Sequence, residues 1–418
     1  MEKSKLHYSW FIFAGCCVMS FVGLGLIINT QGLFFTPVGK DLGFTRTQIA
    51  LMLTIQNITQ MITMPLAGKM FPKYNAKFLL TGSFVVFAGA IIACSTFNNL
   101  YMFYAAGIAM GAVQPFCVSL VLPIFLGNWF EKKLGFALGI AAAVSGLGGT
   151  IFNPIVSNII VNYGWRNAYI FIGVVALVLV LPFTLFVMVF KPSDKGVYAY
   201  GVEPSQVKSE EQIEQSGFTA KEAYRTPAFY LFCIAAVALQ MVAGIVQHVS
   251  AHVVNLGYPL TVGATVISGI MLGAATGKFI IGFLLDKWSS KLVTCIYAML
   301  GFIGWLGLNL ALNQQLMVAS GFVIGLAQAL VLVALPFYIK RVFGTKEYSA
   351  IFSTVSLLAA LASAASVYIG GAFFDATKSY RIPLSLNSAY FVVALITIII
   401  ATSSKKKSQA KAFNEQVG

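Results

Sequence analysis

Charge is what this sequence has least of. Only 10% of its 418 residues are Asp, Glu, Lys or Arg, and acids are rarer than bases, 13 against 27. Histidine occurs three times and cysteine six. A soluble domain carries roughly 25% charged residues, so a soluble globular fold is excluded. The same shortage removes chemistries. No carboxylate cluster, metal-ligand spacing or phosphate-cradling glycine loop is present, which argues against an enzyme and implies no cofactor and no metal. The cysteines (Cys16, Cys17, Cys94, Cys117, Cys233, Cys295) all fall inside apolar runs, where they read as small core residues rather than disulfides.

What remains is apolar. Hydrophobic residues make up 58% of the chain and mean hydropathy is +0.84, the signature of a polytopic membrane protein. The net charge of +14 would suit a nucleic-acid partner, but the basic residues concentrate in alternate loops, as they do in membrane proteins. Lys3 and Lys5 precede an apolar run with no small-residue cleavage site after it, so the first run is read as a retained helix.

A bilayer-spanning helix needs about 20 mostly apolar residues. Cut at turn and charge signals, the chain gives twelve such helices: 9–35, 45–69, 78–96, 99–127, 134–162 and 167–190, then 226–254, 260–285, 292–312, 315–339, 347–373 and 386–403. The expected fold is an all-α membrane protein of twelve transmembrane helices in two pseudo-symmetric six-helix bundles. The first bundle covers residues 1–190 and a polar linker covers 191–225, with a short amphipathic helix expected near Thr219–Tyr224. The second bundle, with its tail, covers 226–418. The termini, the linker and the even-to-odd loops hold most Lys and Arg, whereas the opposite side holds only Lys40, Arg46, Arg166, Lys378 and Arg381. Both termini and the linker are therefore expected in the cytoplasm, with the protein in the cell membrane. The run Lys405–Lys407 reads as a topology anchor at the lipid headgroups.

The two halves repeat each other at a constant offset of 214 residues. Leu42-Gly43-Phe44 recurs as Leu256-Gly257-Tyr258, and Gly68, Lys73 and Lys77 recur as Gly282, Lys287 and Lys291. Gly107, Gly111 and Gln114 recur as Gly321, Gly325 and Gln328. Six helices per half make this a parallel repeat, which places a substrate near the bilayer midplane between halves that rock.

The stretch Gly282-Phe-Leu-Leu-Asp286-Lys287 after helix 8 resembles the G-x-L-x-D-R/K signature of the major facilitator superfamily. Its counterpart after helix 2, Gly68-Lys-Met-Phe-Pro72-Lys73, lacks the acid. Trp129-Phe130-Glu131-Lys132-Lys133-Leu134-Gly135-Phe136-Ala137-Leu138-Gly139 is similar to the motif opening helix 5 in monocarboxylate transporters and relatives of oxalate:formate antiporters. Tyr163-Gly164-Trp165-Arg166-Asn167-Ala168 is similar to the following turn in bacterial members of that branch. The resemblance implies a secondary transporter working by alternating access, with Gly282, Asp286, Lys287 and Lys73 in its cytoplasmic gate. It also implies a carboxylate-binding role for Lys278, which stands where that branch carries an arginine in helix 8. Ser356 stands where the oxalate antiporter carries a second cation, so a monoanion is expected over a dianion.

Lys278 draws attention on physical grounds too. An ammonium at membrane depth costs at least about 2.5–3.5 kcal/mol, so it marks a cavity-facing functional site unless it snorkels to the surface. His248 and His252 share a face of helix 7. They serve either packing or proton coupling, and Lys278 itself is the other proton-coupling candidate, because no carboxylate is expected at mid-membrane. Gln114 and Gln328 either bond across helices or line the cavity. Asn29, Thr30 and Gln31 interrupt helix 1, and Gln56, Asn57 and Gln60 interrupt helix 2; both runs are expected on a bundle-facing surface, with Asn29 and Gln31 binding substrate. The expected cargo is a small organic anion, a monocarboxylate, moved by proton symport or anion exchange in a monomer. The alternative is an exporter of amphipathic compounds or a carrier of a neutral solute.

Overall fold

A computed structural model of the chain describes residues 7–71, 73–201, 217–311, 313–331, 335–344 and 347–417; within these, the side chains of residues 68–69, 134–135, 282–283, 285–287, 340, 348–350, 353 and 403–417 lie outside the description. The described chain is helical almost throughout. Helices 1–6 run over Ser9–Leu42, Arg46–Met70, Ala76–Cys94, Leu100–Trp129, Leu134–Tyr163 and Trp165–Phe186. Helices 7–9 run over Pro227–Asn255, Leu260–Lys287 and Ser290–Leu310. Helix 10 is described as Gln314–Ala329 and Leu335–Phe343, helix 11 as Tyr348–Thr377 and helix 12 as Arg381–Val417. Among the described residues, 11 helices are long and apolar enough to cross a membrane. Large apolar side chains such as Ile62, Val178, Ile303 and Ile396 stand exposed on their outer faces. That surface is stable only against hydrocarbon, and the chain is a multi-pass membrane protein.

Helices 1 and 12 depart furthest from the sequence expectation. Helix 1 continues seven residues past Phe35, to Leu42. It does so by loosening to a π-helical stretch at Ser20–Ile28 and tightening to a 3₁₀ turn at Gln31–Phe34. The Thr30 hydroxyl donates to the Leu26 carbonyl at 2.7 Å and so serves a carbonyl of the irregular stretch. Helix 12 starts earlier than expected, at Arg381, and its backbone stays helical past the basic run. In the linker a single turn, Ala220–Ala223, forms behind a capping box in which Thr219 and Glu222 cap each other.

The sequence repeat is a repeat of contacts. A Cβ on Gly107 would lie 2.8 Å from the Met52 carbonyl, and one on Gly321 would lie 2.7 Å from the Val266 carbonyl. Gly111 and Gly325 meet the carbonyls of Gln56 and Ile270 in the same way, closer still. Each pair of glycines and each pair of carbonyls obeys the 214-residue offset. Glycine lets helix 4 touch the backbone of helix 2, and helix 10 that of helix 8. The linker follows the rule as well. The Tyr200 amide donates to Trp129 O at 2.9 Å on the first half, and the Phe218 amide donates to the equivalent Phe343 O at 2.8 Å on the second.

Candidate functional site

The halves meet along two equivalent seams, helix 2 against helix 11 and helix 5 against helix 8. At one end of the bundle these seams are shut. Helix 2 begins there with four backbone amides that have no partner inside the helix. Thr45 and Gln48 satisfy two of them reciprocally, at 2.8 and 3.2 Å. Asp375, from helix 11 of the other half, accepts the amides of Arg46 at 3.3 Å and Thr47 at 3.0 Å, and also the Thr47 hydroxyl. Beside them Ser250 of helix 7 donates to the Gly32 carbonyl of helix 1 at 2.9 Å. Gly371 lies against the Thr47 backbone, and Gly32 lies against the carbonyl of Gln247.

His248 is fully buried in this closed end. Its Nε2 lies 2.7 Å from Val367 O, and its ring sits between Phe35 of the first half and Tyr380, with centroids 5.1 and 5.5 Å away. His252, also buried, meets the edge of Tyr380 at 6.2 Å, and neither of its ring nitrogens has a partner in hydrogen-bond geometry among the described residues. The histidines therefore belong to the closure rather than to an open chamber.

Halfway along, each seam carries a hydrogen bond between the halves. Thr54 donates to Ala364 O at 3.0 Å, and Ser268 donates to Thr150 O at 3.0 Å. Past these bonds the helix 2/helix 11 seam parts into a cavity of about 900 Å³, lined by helices 2, 4, 7, 10 and 11. It lies toward the helix ends at Met70 and Tyr348, opposite to Asp375. Its wall is mostly apolar (Met61, Met64, Leu120, Ile124, Leu357 and neighbours), with polar side chains at Asn57, Gln60, Gln240, Thr354, Ser356 and Ser363 and no charged residue among the described residues.

Lys278 sits on the second seam. Helix 8 presents Met271 and Ala275 to Gly146 and Gly149 of helix 5, and Lys278 follows on that face, one and two turns further. It is half-buried and has no hydrogen-bond or ion-pair partner among the described residues. Ser250 packs on Gly263, and Lys278 lies fifteen residues beyond Gly263 on helix 8. At ~1.5 Å rise per residue this puts about 22 Å between the lysine and the histidines' end of the bundle. Lys278 and the histidines are not one site.

The amides divide. Gln31 donates to Gln56 at 3.1 Å and Gln56 donates to the buried Gln114 at 2.9 Å, a chain joining helices 1, 2 and 4. Gln31 also borders a water-sized void of about 20 Å³ inside the first half. Asn29 lies on the seam, its amide nitrogen 3.0 Å from where a Gly149 Cβ would be. Gln328 is half-buried, with no side-chain bond among the described residues. Lys73 is exposed at the cavity end, next to helix 2. The backbones of Gly282, Asp286 and Lys287 form the last turns of helix 8, while their side chains lie outside the described residues. Asp375 as the clasp and Gln240 as cavity wall were not read from the sequence, whereas Asn57 and Gln60, which interrupt an apolar helix, were expected on a bundle-facing surface and line the cavity.

Twelve helices in two bundles related by a constant offset, shut at one end and open at the other around an interior cavity, define a membrane transporter rather than an enzyme. The family model of the Major Facilitator Superfamily matches residues 11–314 and 266–417, and the chain belongs to that superfamily. Among its relatives, an uncharacterised MFS-type transporter, YcxA, of Bacillus subtilis is 23% identical, over 97% of this chain and 98% of that protein. Monocarboxylate transporter 12 of Xenopus laevis is also 23% identical, over 98% and 94%. The oxalate:formate antiporter of Oxalobacter formigenes is 26% identical over 60% of this chain and 53% of its own length. The sequence resemblance to this branch is thereby upheld. Among solved structures, a bacterial homologue of the human lysosomal transporter Spinster, inward-facing and occupied, matches with a TM-score of 0.75 at 12% identity. That match covers 96% of this chain and 98% of the other.

Proposed function

We propose that this transporter carries a small organic anion, a monocarboxylate, across the cytoplasmic membrane, with Lys278 as the anchor of the anion. Both termini and the linker face the cytoplasm, so the cavity opens inward. The observation that carries this reading is Lys278 itself: a half-buried cation in the body of helix 8, on the seam between the halves, with no protein partner among the described residues. An unpaired ammonium resists closure of the seam over it, because burying a lone charge costs several kcal/mol. A bound carboxylate supplies a charge-assisted hydrogen bond, and the loaded pair is nearly neutral. Closure is then favoured only when cargo is present. If the empty carrier stays charged and cannot turn over, the result is anion exchange; if the lysine loses its proton when empty, it is proton symport.

The names of the monocarboxylate transporter and antiporter relatives support this assignment. The cavity wall, uncharged among the described residues, favours a second reading, a carrier of neutral or amphipathic solutes. Counterflow in proteoliposomes, run with labelled carboxylates and neutral solutes, separates the two. Lys278→Gln abolishes carboxylate counterflow, and Lys278→Arg keeps part of it, because the charge survives with altered geometry. Normal carboxylate counterflow by a folded Lys278→Gln protein would overturn the anion reading and leave the neutral-solute reading in its place.

A further inference from the structure

The two seams occupy equivalent places in the repeat and differ in chemistry. On helix 2 the face that lines the cavity is Asn57, Gln60, Met61 and Met64. At the 214-residue offset the same face of helix 8 is Met271, Ala274, Ala275 and Lys278. One half has kept neutral amides where the other has apolar side chains, and a lysine where its mate is Met64. The scaffold repeat does not require this difference, since the glycine contacts of helices 4 and 10 and one hydrogen bond on each seam repeat.

The amides on the cavity side are unspent. Asn57 and Gln240 reach the cavity from different halves, and neither has a side-chain partner among the described residues. Gln60 donates to Ser119 at 2.7 Å and leaves its own oxygen free of any described bond. A primary amide both donates and accepts, whereas an ammonium only donates. A carboxylate gains most from the ammonium; a hydroxyl, carbonyl or amide is matched by the amides. The cavity, about 900 Å³, lies in the range of roughly 300–1,000 Å³ that holds drug-sized ligands, far more than a two-carbon acid fills.

Resting on the anion reading above, we propose that Asn57 and Gln240 form a second, uncharged subsite, and that the cargo is a monocarboxylate of several carbons bearing a hydroxyl, carbonyl or amide group away from its carboxylate. The apolar wall of the cavity receives the carbon body and the amides select for the distal polar group, while Lys278, which is not among the residues of that wall, takes the charge from the helix 5/helix 8 seam.

Binding to the purified full-length protein by titration calorimetry tests this, with hexanoate and 6-hydroxyhexanoate as matched probes. Wild-type protein should favour the hydroxylated acid by roughly 3- to 10-fold, the yield of one neutral hydrogen bond. Asn57→Leu and Gln240→Leu, and the smaller Asn57→Ala and Gln240→Ala, should reduce that preference toward unity, read in each variant as the ratio of its affinities for the two acids. Lys278→Gln should weaken both acids alike. Equal wild-type affinity for the two acids, binding of neither, or a preference that survives in the folded amide variants would overturn the subsite. If Lys278→Gln bound both acids normally, the carboxylate anchor would fall instead, and the hydroxyl preference would still decide the amide subsite.

Discussion

Asp375, at the end of helix 11, caps the first turn of helix 2 by accepting the Arg46 and Thr47 amides and the Thr47 hydroxyl. A helix normally supplies such a cap from its own chain just before its first residue. Here the cap for two of the amides comes from the opposite half, so the start of helix 2 is fully satisfied only while this end of the bundle is closed. Opening it exposes both the carboxylate and the positive end of a helix to water. Asp375→Asn removes the charge and should weaken closure by about 1–3 kcal/mol. A cysteine at Ser250, at the closed seam, should then react several-fold faster with a membrane-impermeant thiol reagent than in a Ser250→Cys protein with Asp375 intact. Equal reactivity would show that Asp375 is not the clasp.

The chain Gln31–Gln56–Gln114 is a structural tie within the first half. Gln56→Leu leaves the Gln31 donor and the Gln114 acceptor without their partner, at a cost of about 1–3 kcal/mol for each group left buried. Thermal unfolding of the detergent-purified variant should show a clear drop in midpoint. An unchanged midpoint would mean that water replaces the lost bonds.

Gly325 and Gly89 should respond in opposite ways to added bulk. A Cβ at Gly325 collides with the Ile270 carbonyl, a backbone atom that cannot step aside, whereas one at Gly89 meets nothing within 4 Å. Gly325→Val should yield little monodisperse protein on gel filtration, and Gly89→Ala should behave as wild type. Normal recovery of Gly325→Val would remove the close contact of helices 8 and 10 from the fold.

Orientation is open to direct measurement. Single cysteines at Lys40 and Lys378 should label from outside intact cells, and those at Lys73 and Lys191 only after permeabilisation. Outside labelling at Lys73 would reverse the direction in which the cavity opens.

The fold was legible because hydrophobic run length and repeated glycines are local properties of the chain. Gly107, Gly111, Gly321 and Gly325 could be paired by spacing alone, and they make matching contacts. Lys278 was legible for a similar reason, since a lone cation in an apolar run is conspicuous without a partner. The clasp was not. Asp375 sits near a helix end, where an acid is unremarkable, and its meaning depends on which helix of the other half meets it. Gln114 was read as cavity-lining or bonded across helices and Gln31 as bundle-facing, and the outcome for both turned on Gln56, which bonds to each. The continuation of helix 1 to Leu42 was hidden for a different reason. Asn29-Thr30-Gln31-Gly32 looks like a break, yet the chain there changes helical pitch without leaving the helix.

The seam hydrogen bonds have an implication for ancestry. Thr54 stands to Ala364 as Ser268 stands to Thr150: the donors are one offset apart, and so are the accepting carbonyls. In a C2 homodimer, residue i of one subunit meets residue j of its mate, and j meets i in return. If the second half is replaced by a copy of the first, the two bonds become one bond counted twice, position 54 of each subunit donating to position 150 of the other. The single polypeptide thus holds the footprint of an isologous interface between two six-helix subunits. Within one chain Lys278 and Asn57 are free to differ from their mates, whereas a homodimer would carry any such side chain on both sides.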